Sequence, residues 1–170
     1  MNIWVNGCFD ILHTGHLDLL EYAKHYNESK LFDRINSLIV GIDSDRRVKE
    51  LKGKDRPINS QEDRKRFLNS LHFVERVYIF DTEEELRQLI KELEIDIMVV
   101  GEEYRDKEVI GSENAKHGVV YFPVDERSST NIIEKIEKEI YTEMWERFKD
   151  DDDTISIAFN NYAVGKLRKL

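Results

Sequence analysis

The chain has 170 residues, 40% of them hydrophobic and 36% charged, and a formal net charge of −9. That length holds one domain, with or without an appendage, and is enough for a sizeable core. The acidic balance argues against a protein that wraps duplex nucleic acid, which needs a broad basic face, and leaves room for a small anion held by a local basic cluster. Cys8 is the only cysteine, so neither a disulfide framework nor a cysteine metal cage is expected, and a reducing, cytoplasmic setting fits. Met1-Asn2-Ile3-Trp4 lacks the basic and apolar regions of a secretory signal. No apolar run approaches the ~18 residues of a membrane span, and no internal repeat is visible.

In chain order, Asn2 to Asn6 reads as a first strand. Gly7-Cys8-Phe9-Asp10-Ile11-Leu12-His13-Thr14-Gly15-His16 follows as the turn into a helix. Leu19, Leu20, Ala23 and Tyr26 then recur at helical spacing from about Gly15 to Tyr26. Asn27 to Arg34 is polar and reads as a loop or frayed helix end. Leu38-Ile39-Val40-Gly41-Ile42 is a continuous apolar run, the mark of a strand buried on both faces, and it ends in Asp43-Ser44-Asp45. Arg46 to Pro57 is rich in lysine and arginine and reads as a mobile basic loop. Ser60 caps a helix expected to bury Phe67, Leu68 and Leu71, with Asp63 completing an imperfect capping box. Val77 to Phe80 is a third strand. Thr82 to Leu93 is a helix with Leu86, Leu89, Ile90 and Leu93 in one stripe. Ile95 to Val100 is a fourth strand ending at Gly101-Glu102-Glu103. Val119 to Phe122 is the fifth, closed by Pro123. Ser128 to Ile140 is helical, with Ile132, Ile133, Ile136 and Ile140 on one side.

The alternation of strand and helix predicts an α/β fold, a Rossmann-like doubly wound parallel sheet of five strands with a C-terminal appendage. The expected division is a domain over 1–140 and an extension over 141–170. In the extension, Tyr141 to Lys149 continues as helix, Asp150 to Asp153 is a solvated acidic turn, Thr154 to Phe159 is strand-like and Lys166 to Leu170 is a basic end.

Ligands of such sheets bind beyond the carboxyl ends of the strands, and the chemically rich stretches all fall there. His13 and His16 follow the first strand at the mouth of a helix, where unpaired N–H groups and a partial positive charge seat phosphate. Imidazoles there can hydrogen-bond its oxygens, and Gly15 has no side chain to keep the backbone away. The basic stretch follows the second strand, Gly101 to Tyr104 the fourth, and Arg127 to Thr130 the fifth. A surface or core role is the alternative for each histidine, and a solvated charge run the alternative for the lysines. The placement between a first strand and a first helix favours a nucleoside triphosphate site.

The decapeptide from Gly7 to His16 resembles the signature of the cytidylyltransferase-like nucleotidyltransferases. Ser128-Ser129-Thr130 is similar to the family's second motif, and the resemblance runs from about Asn2 to Ile140. Three further stretches look closest to the heptose-1-phosphate adenylyltransferases: Leu51-Lys52-Gly53-Lys54-Asp55-Arg56-Pro57-Ile58-Asn59, Val100-Gly101-Glu102-Glu103-Tyr104, and Val109-Ile110-Gly111-Ser112-Glu113. Glycerol-3-phosphate cytidylyltransferases share the histidine motif, but usually carry an aromatic where this chain has Thr14 and lack the Arg-Pro. The resemblance does not extend to the kinase domain of the bifunctional heptose enzymes, the connection from Tyr26 to Ser37 is longer than usual, and the tail after Tyr141 has no familiar counterpart.

The resemblance implies attack of a substrate phosphate on the α-phosphate of a nucleoside triphosphate, with release of pyrophosphate. Catalysis is then positioning and charge neutralisation, with no need of a strong base. It implies His13, His16 and Lys52 as the catalytic groups, with Lys49 or Lys54 as substitutes for Lys52. Gly7, Cys8, Phe9, Asp10, Gly15, Gly101, Glu103, Arg127, Ser128, Ser129 and Thr130 are the expected nucleotide-binding positions. Arg64 either holds a substrate phosphate or pairs with Glu62 or another acid, and Tyr104 lines the base or acceptor pocket. Asp10 orients a histidine or the loop, or is a turn residue, and Cys8 is a small hydrophobe rather than a nucleophile. Mg²⁺ is expected on the triphosphate rather than in a protein cage, and a homodimer is expected from the family. The partners implied are ATP or CTP and a small phosphomonoester. A nucleotide-binding sensor that kept the site is the reading outside enzymes.

Overall fold

A computed structural model describes residues 1–27, 35–123 and 129–148 of the chain, with side chains as far as Met144. By compactness the chain divides into Met1–Arg127 and Ser128–Leu170. The first unit holds five strands: β1 (Asn2–Gly7), β2 (Ser37–Asp43), β3 (Arg76–Phe80), β4 (Ile97–Gly101) and β5 (Val119–Phe122). They form one parallel sheet in the order β3-β2-β1-β4-β5. Between them lie α1 (Thr14–His25), α2 (Asp45–Lys52), α3 (Gln61–Asn69) and α4 (Glu83–Glu92), with single 3₁₀ turns at Glu102–Tyr104 and Ser112–Asn114.

The sheet is apolar on both faces because successive side chains point to opposite sides. Ile3, Val5, Leu38, Val40, Ile42, Ile97 and Val99 pack with Leu20 and Ala23 of α1 and Leu68 of α3. Trp4, Ile39, Phe80, Met98 and Val100 pack with Leu86 and Ile90 of α4 on the other face. Trp4 lies flat over the neighbouring strand, so a Cβ at Gly41 would come within 2.2 Å of its ring. The five-stranded, doubly wound expectation is thus what the chain forms.

The structure corrects some local expectations. Arg46 to Pro57 is not a loop throughout: α2 occupies it as far as Lys52, and only Gly53 onward is irregular. Ser44 caps α2 by accepting from the Arg47 N–H, Val48 is its one buried residue, and Arg47 pairs back to Asp43 and Arg46 forward to Glu50. A single apolar anchor gives no periodicity, so the charge run hid the helix. In α3 the buried residues are Arg64 and Leu68, while Phe67 is 55% exposed. An arginine stands where the periodicity predicts an apolar side chain. The fourth strand begins at Ile97, with Ile95 buried in the turn before it.

The second unit contains α5 (Ser129–Phe148), which runs without a break past Ile140, the expected domain end. Ile136 and Ile140, expected on one side of this helix with Ile132 and Ile133, are exposed. The polar stretch over 28–34, Arg127 and Ser128 at the site, and the features expected at 149–170 lie outside the described residues. Those features are Lys149, the turn Asp150 to Asp153, the strand Thr154 to Phe159 and the basic end Lys166 to Leu170.

Candidate active site

β1 ends at Gly7, and the chain then turns through Cys8, Phe9 and Asp10 to His13, the N-cap of α1. Phe9 is buried at φ 49°, in the left-handed region that a bulky side chain enters only when packing dictates it. Its ring centroid lies 5.0 Å from that of His16, and the His13 and His16 rings are 3.9 Å apart. Gly15 is the second residue of α1. No carboxylate stands in the first turn of α1, whereas α2, α3 and α4 each carry at least one there.

The His13 backbone N–H donates to His16 Nδ1 at 3.4 Å. That assigns the proton of the neutral ring to Nε2, since an accepting nitrogen carries none. Burial, with help from His13 and Lys52, pushes the His16 pKa down to about 4. At neutral pH His16 is therefore an uncharged imidazole with one N–H to give.

Asp10 has no exposed side-chain surface and serves as a clamp. Its Oδ1 accepts from the Ile58 and Asn59 N–H groups at 2.9 and 2.8 Å, and its Oδ2 from Arg56 Nε at 2.7 Å. Burial raises the pKa of such a carboxyl, but the Asn59 and Ile58 donors and the Arg56 guanidinium outweigh it and hold the group below its ordinary value. Asn59 Nδ2 returns the contact by donating to the Asp10 carbonyl. The histidine loop is thus fastened to the connection between α2 and α3.

Arg64 fastens the same parts from below. It is buried and donates to the Asn59 carbonyl at 3.1 Å, the Cys8 carbonyl at 2.7 Å and the Asp45 carboxylate at 2.7 Å. Of its two expected roles the structure shows the acid pairing, with Asp45 rather than Glu62. Its position in the core corrects its assignment as a substrate-phosphate ligand. Cys8 is half-buried, and burial raises its thiol pKa despite Lys52 and Arg64 nearby, so it is a neutral thiol.

Lys52 is the last residue of α2, exposed, and close enough to lower the pKa of both His16 and Cys8. Lys49 and Lys54 are exposed. Lys52 also lines a cleft of about 220 Å³ together with Gly7, Cys8, Asp43, Arg47 and Tyr104. Leu51, Leu86, Val109 and Ile110 supply its apolar lining. The cleft opens at the carboxyl ends of β1 and β4, where the strand order reverses direction, the usual ligand position in open α/β sheets.

At the end of β4 the Glu103 carboxylate folds back over Gly101, so that a Cβ there would lie 2.1 Å from it. Burial, then Glu103 and Asp43, raise the pKa of the Tyr104 phenol, which keeps its proton. Gly7, Cys8, Phe9, Asp10, His13, Gly15, His16, Lys52, Gly101, Glu103 and Tyr104 thus all gather at one edge of the first unit. Ser129 and Thr130 open α5 in the second unit.

Sequence reasoning missed Arg56 and Asn59 as partners of Asp10, Asp45 as partner of Arg64, and the ion pair of Asp43 with Arg47 at 2.8 Å. It also missed Glu108 at the cleft. Only Arg56, Pro57 and Asn59 left a trace, as part of a stretch that resembles the heptose enzymes. Among the described residues no group of three or more His, Cys, Asp or Glu could hold a metal ion, and no helix is long and apolar enough to cross a membrane.

A parallel sheet in this order, with paired histidines at the first helix start, defines a class, and the family comparison agrees. The cytidylyltransferase-like family model matches residues 4–135, and the chain belongs to that family. Within it, the chain is 47% identical over 134 residues to the bifunctional protein HldE of Campylobacter fetus subsp. fetus, covering 79% of this chain and 27% of that protein. It is 45% identical over 134 residues to HldE of Nitratiruptor sp., again over 79% of this chain and 27% of that protein. The chain thus spans about a quarter of the length of these relatives. Among solved structures, it is similar to a lipopolysaccharide core biosynthesis protein from Thermoplasma volcanium, with 25% identity and a TM-score of 0.55, over 74% of this chain and 98% of that one.

Proposed function

We propose that the chain transfers the nucleoside monophosphate of a triphosphate to a phosphomonoester, and specifically an adenylyl group from ATP to a heptose 1-phosphate, giving an ADP-sugar and pyrophosphate. The observation that carries this reading is the His13–His16 pair at the carboxylate-free start of α1, with Lys52 beside it. An acceptor phosphate oxygen forms the new bond to the α-phosphorus, and the bond from that phosphorus to the bridging oxygen breaks. Negative charge grows on the α-phosphate and on the leaving pyrophosphate. His16 donates from Nε2 without any proton transfer, His13 beside it serves the same oxygens, and Lys52 neutralises charge next to them. Preorganised donors of this kind supply most of the rate in such transfers.

The cleft at β1 and β4 suits the acceptor, with apolar walls and hydroxyl-binding groups at Asp43, Arg47, Glu108 and Tyr104. Asp10 is saturated and Asp43 is paired, so Mg²⁺ enters bound to the nucleotide phosphates rather than to a protein cage. Arg127, Ser128, Ser129 and Thr130 join this reading from the sequence resemblance alone. A cytoplasmic homodimer completes it, and sedimentation tests the dimer. The decisive assay is pyrophosphate release with each of four ribonucleoside triphosphates against heptose 1-phosphate and glycerol 3-phosphate. ATP with the heptose phosphate is the expected pair. CTP with glycerol phosphate would replace the adenylyl reading by a cytidylyl one, and release from no pair would leave a nucleotide-binding protein.

A further inference from the structure

Arg56 is held at the site by a role that uses only part of its side chain. The side chain is 12% exposed, and Nε donates to Asp10 Oδ2 at 2.7 Å. Its Nη2 is buried and has no hydrogen-bond partner among the described residues. Two neighbouring arginines show what a fully used guanidinium looks like. Arg46 closes a fork on Asp81, with Nε at 2.9 Å and Nη2 at 2.7 Å from the same oxygen. Arg64 has Nε, Nη1 and Nη2 all engaged. Asp10 is already filled, because both its oxygens accept from the Ile58 N–H and Oδ1 also from the Asn59 N–H. A buried donor left unpaired costs stability and in native proteins calls for a reason.

The position of Arg56 supplies one. It follows Lys52 by four residues, and its anchor Asp10 precedes His13 by three. Through Asp10 the guanidinium is fixed to the loop that carries His13, with one N–H edge unused. A fixed guanidinium edge matches an oxyanion better than any other group. We propose that Arg56 is a substrate-binding residue whose Nη2 donates to a phosphate oxygen, either of the nucleotide's polyphosphate or of the acceptor phosphomonoester. This rests on the reading under Proposed function. The connection around it is exposed at Gly53, Lys54, Asp55 and Ile58.

Arg56→Lys tests this, since a lysine keeps the charge beside Asp10 and loses the second donor edge. Arg56→Gln is the second variant, should the first unfold. Binding of ATP with Mg²⁺ and of inorganic pyrophosphate is measured by calorimetry, and the KM for the sugar phosphate by steady-state kinetics, beside the melting temperature. A loss of about ten- to a hundredfold in ATP and pyrophosphate affinity assigns the edge to the nucleotide. The same loss confined to the KM of the sugar phosphate assigns it to the acceptor. Unchanged constants in a folded variant overturn the proposal and leave the proposed function intact. Wild-type protein that binds neither ATP, pyrophosphate nor sugar phosphate overturns both. In wild type, the guanidinium N–H resonances of Arg56 should shift on adding pyrophosphate or the sugar phosphate, a change that a purely structural arginine would not show.

Discussion

The starts of α1 and α4 lie at the same edge of the sheet and solve the same problem in opposite ways. Each helix leaves unpaired N–H groups and a partial positive charge there. At α4 the chain answers with its own groups: Thr82 accepts from the Glu85 N–H, and Glu83, Glu84 and Glu85 fill the first turn. At α1 the cap is a histidine, the first turn holds no carboxylate, and the residue that reaches back is His16. α4 is finished for stability, and α1 is left with positive character for an incoming anion. Asp10, the acid that precedes the histidines in the same loop, is consumed by Arg56, Ile58 and Asn59. The edge thus keeps its negative charge out of the phosphate seat.

The largest effect is expected from breaking that arrangement. Asp10→Ala strands two backbone N–H groups and a guanidinium with little solvent to turn to. Loss of one partner from a buried charged pair costs about 3–5 kcal/mol, which urea unfolding would register as a lower midpoint with little change in slope. A loss below about 1 kcal/mol would mean that the clamp is not what joins the two connections. The same carboxyl predicts an acid sensitivity. Its pKa is depressed in the folded protein, so its contribution is complete above the unfolded value near 3.8. It is lost as the pH falls through the lower folded value.

His16→Ala comes next. Removing a donor aimed at developing charge lowers turnover about a hundred- to a thousandfold, while the melting temperature falls by no more than about 5 °C, because the ring is only partly buried. Lys52→Ala should cost turnover by about a hundredfold or less and leave the fold untouched, since the side chain is exposed at a helix end. Pyrophosphate release and thermal melting on the same samples separate the two kinds of loss.

The fold was open to sequence reading wherever burial imposes a period. Leu38 to Ile42 is a buried run and Val119 to Phe122 a half-buried one, and the stripe from Leu86 to Leu93 has one apolar face. The histidine loop was visible because its chemistry is local, within ten residues. What stayed hidden depends on contacts between distant segments. Arg64 looks like any exposed helical arginine until Cys8, Asn59 and Asp45 close around it, from 56, 5 and 19 residues away. α2 was hidden for the reverse reason: its single buried residue, Val48, gives no repeat to detect, and its lysines and arginines suggested solvent.

The histidine pair also makes a titration that its counterpart at α4 lacks. His16 has a folded pKa of about 4, below the ordinary histidine value of 6.5, so between those values the unfolded chain binds the extra proton and the folded one does not. Its contribution to stability is therefore complete above about pH 6.5 and lost as the pH falls toward 4. Proton NMR should find its ring titrating near 4 in the free protein. Pyrophosphate should raise that value, because an anion favours the charged imidazole. A ring that titrates at the ordinary histidine value, or that ignores pyrophosphate, would show that the seat is neither as dry nor as anion-selective as its geometry states.

The smallest effect closes the comparison from the other side. Thr82→Ala removes the cap of α4 and leaves the Glu85 N–H without its acceptor, a loss of about 1 kcal/mol. The three glutamates still oppose the helix charge, which keeps the cost from growing. Turnover should not change, because Thr82 is exposed and outside the residues that line the cleft. An equal loss of stability at both helix starts, or a loss of turnover in Thr82→Ala, would mean that the two ends are not specialised. The pairing of a cheap, silent change at α4 with a costly, fold-neutral one at His16 is what a helix start kept for ligand requires.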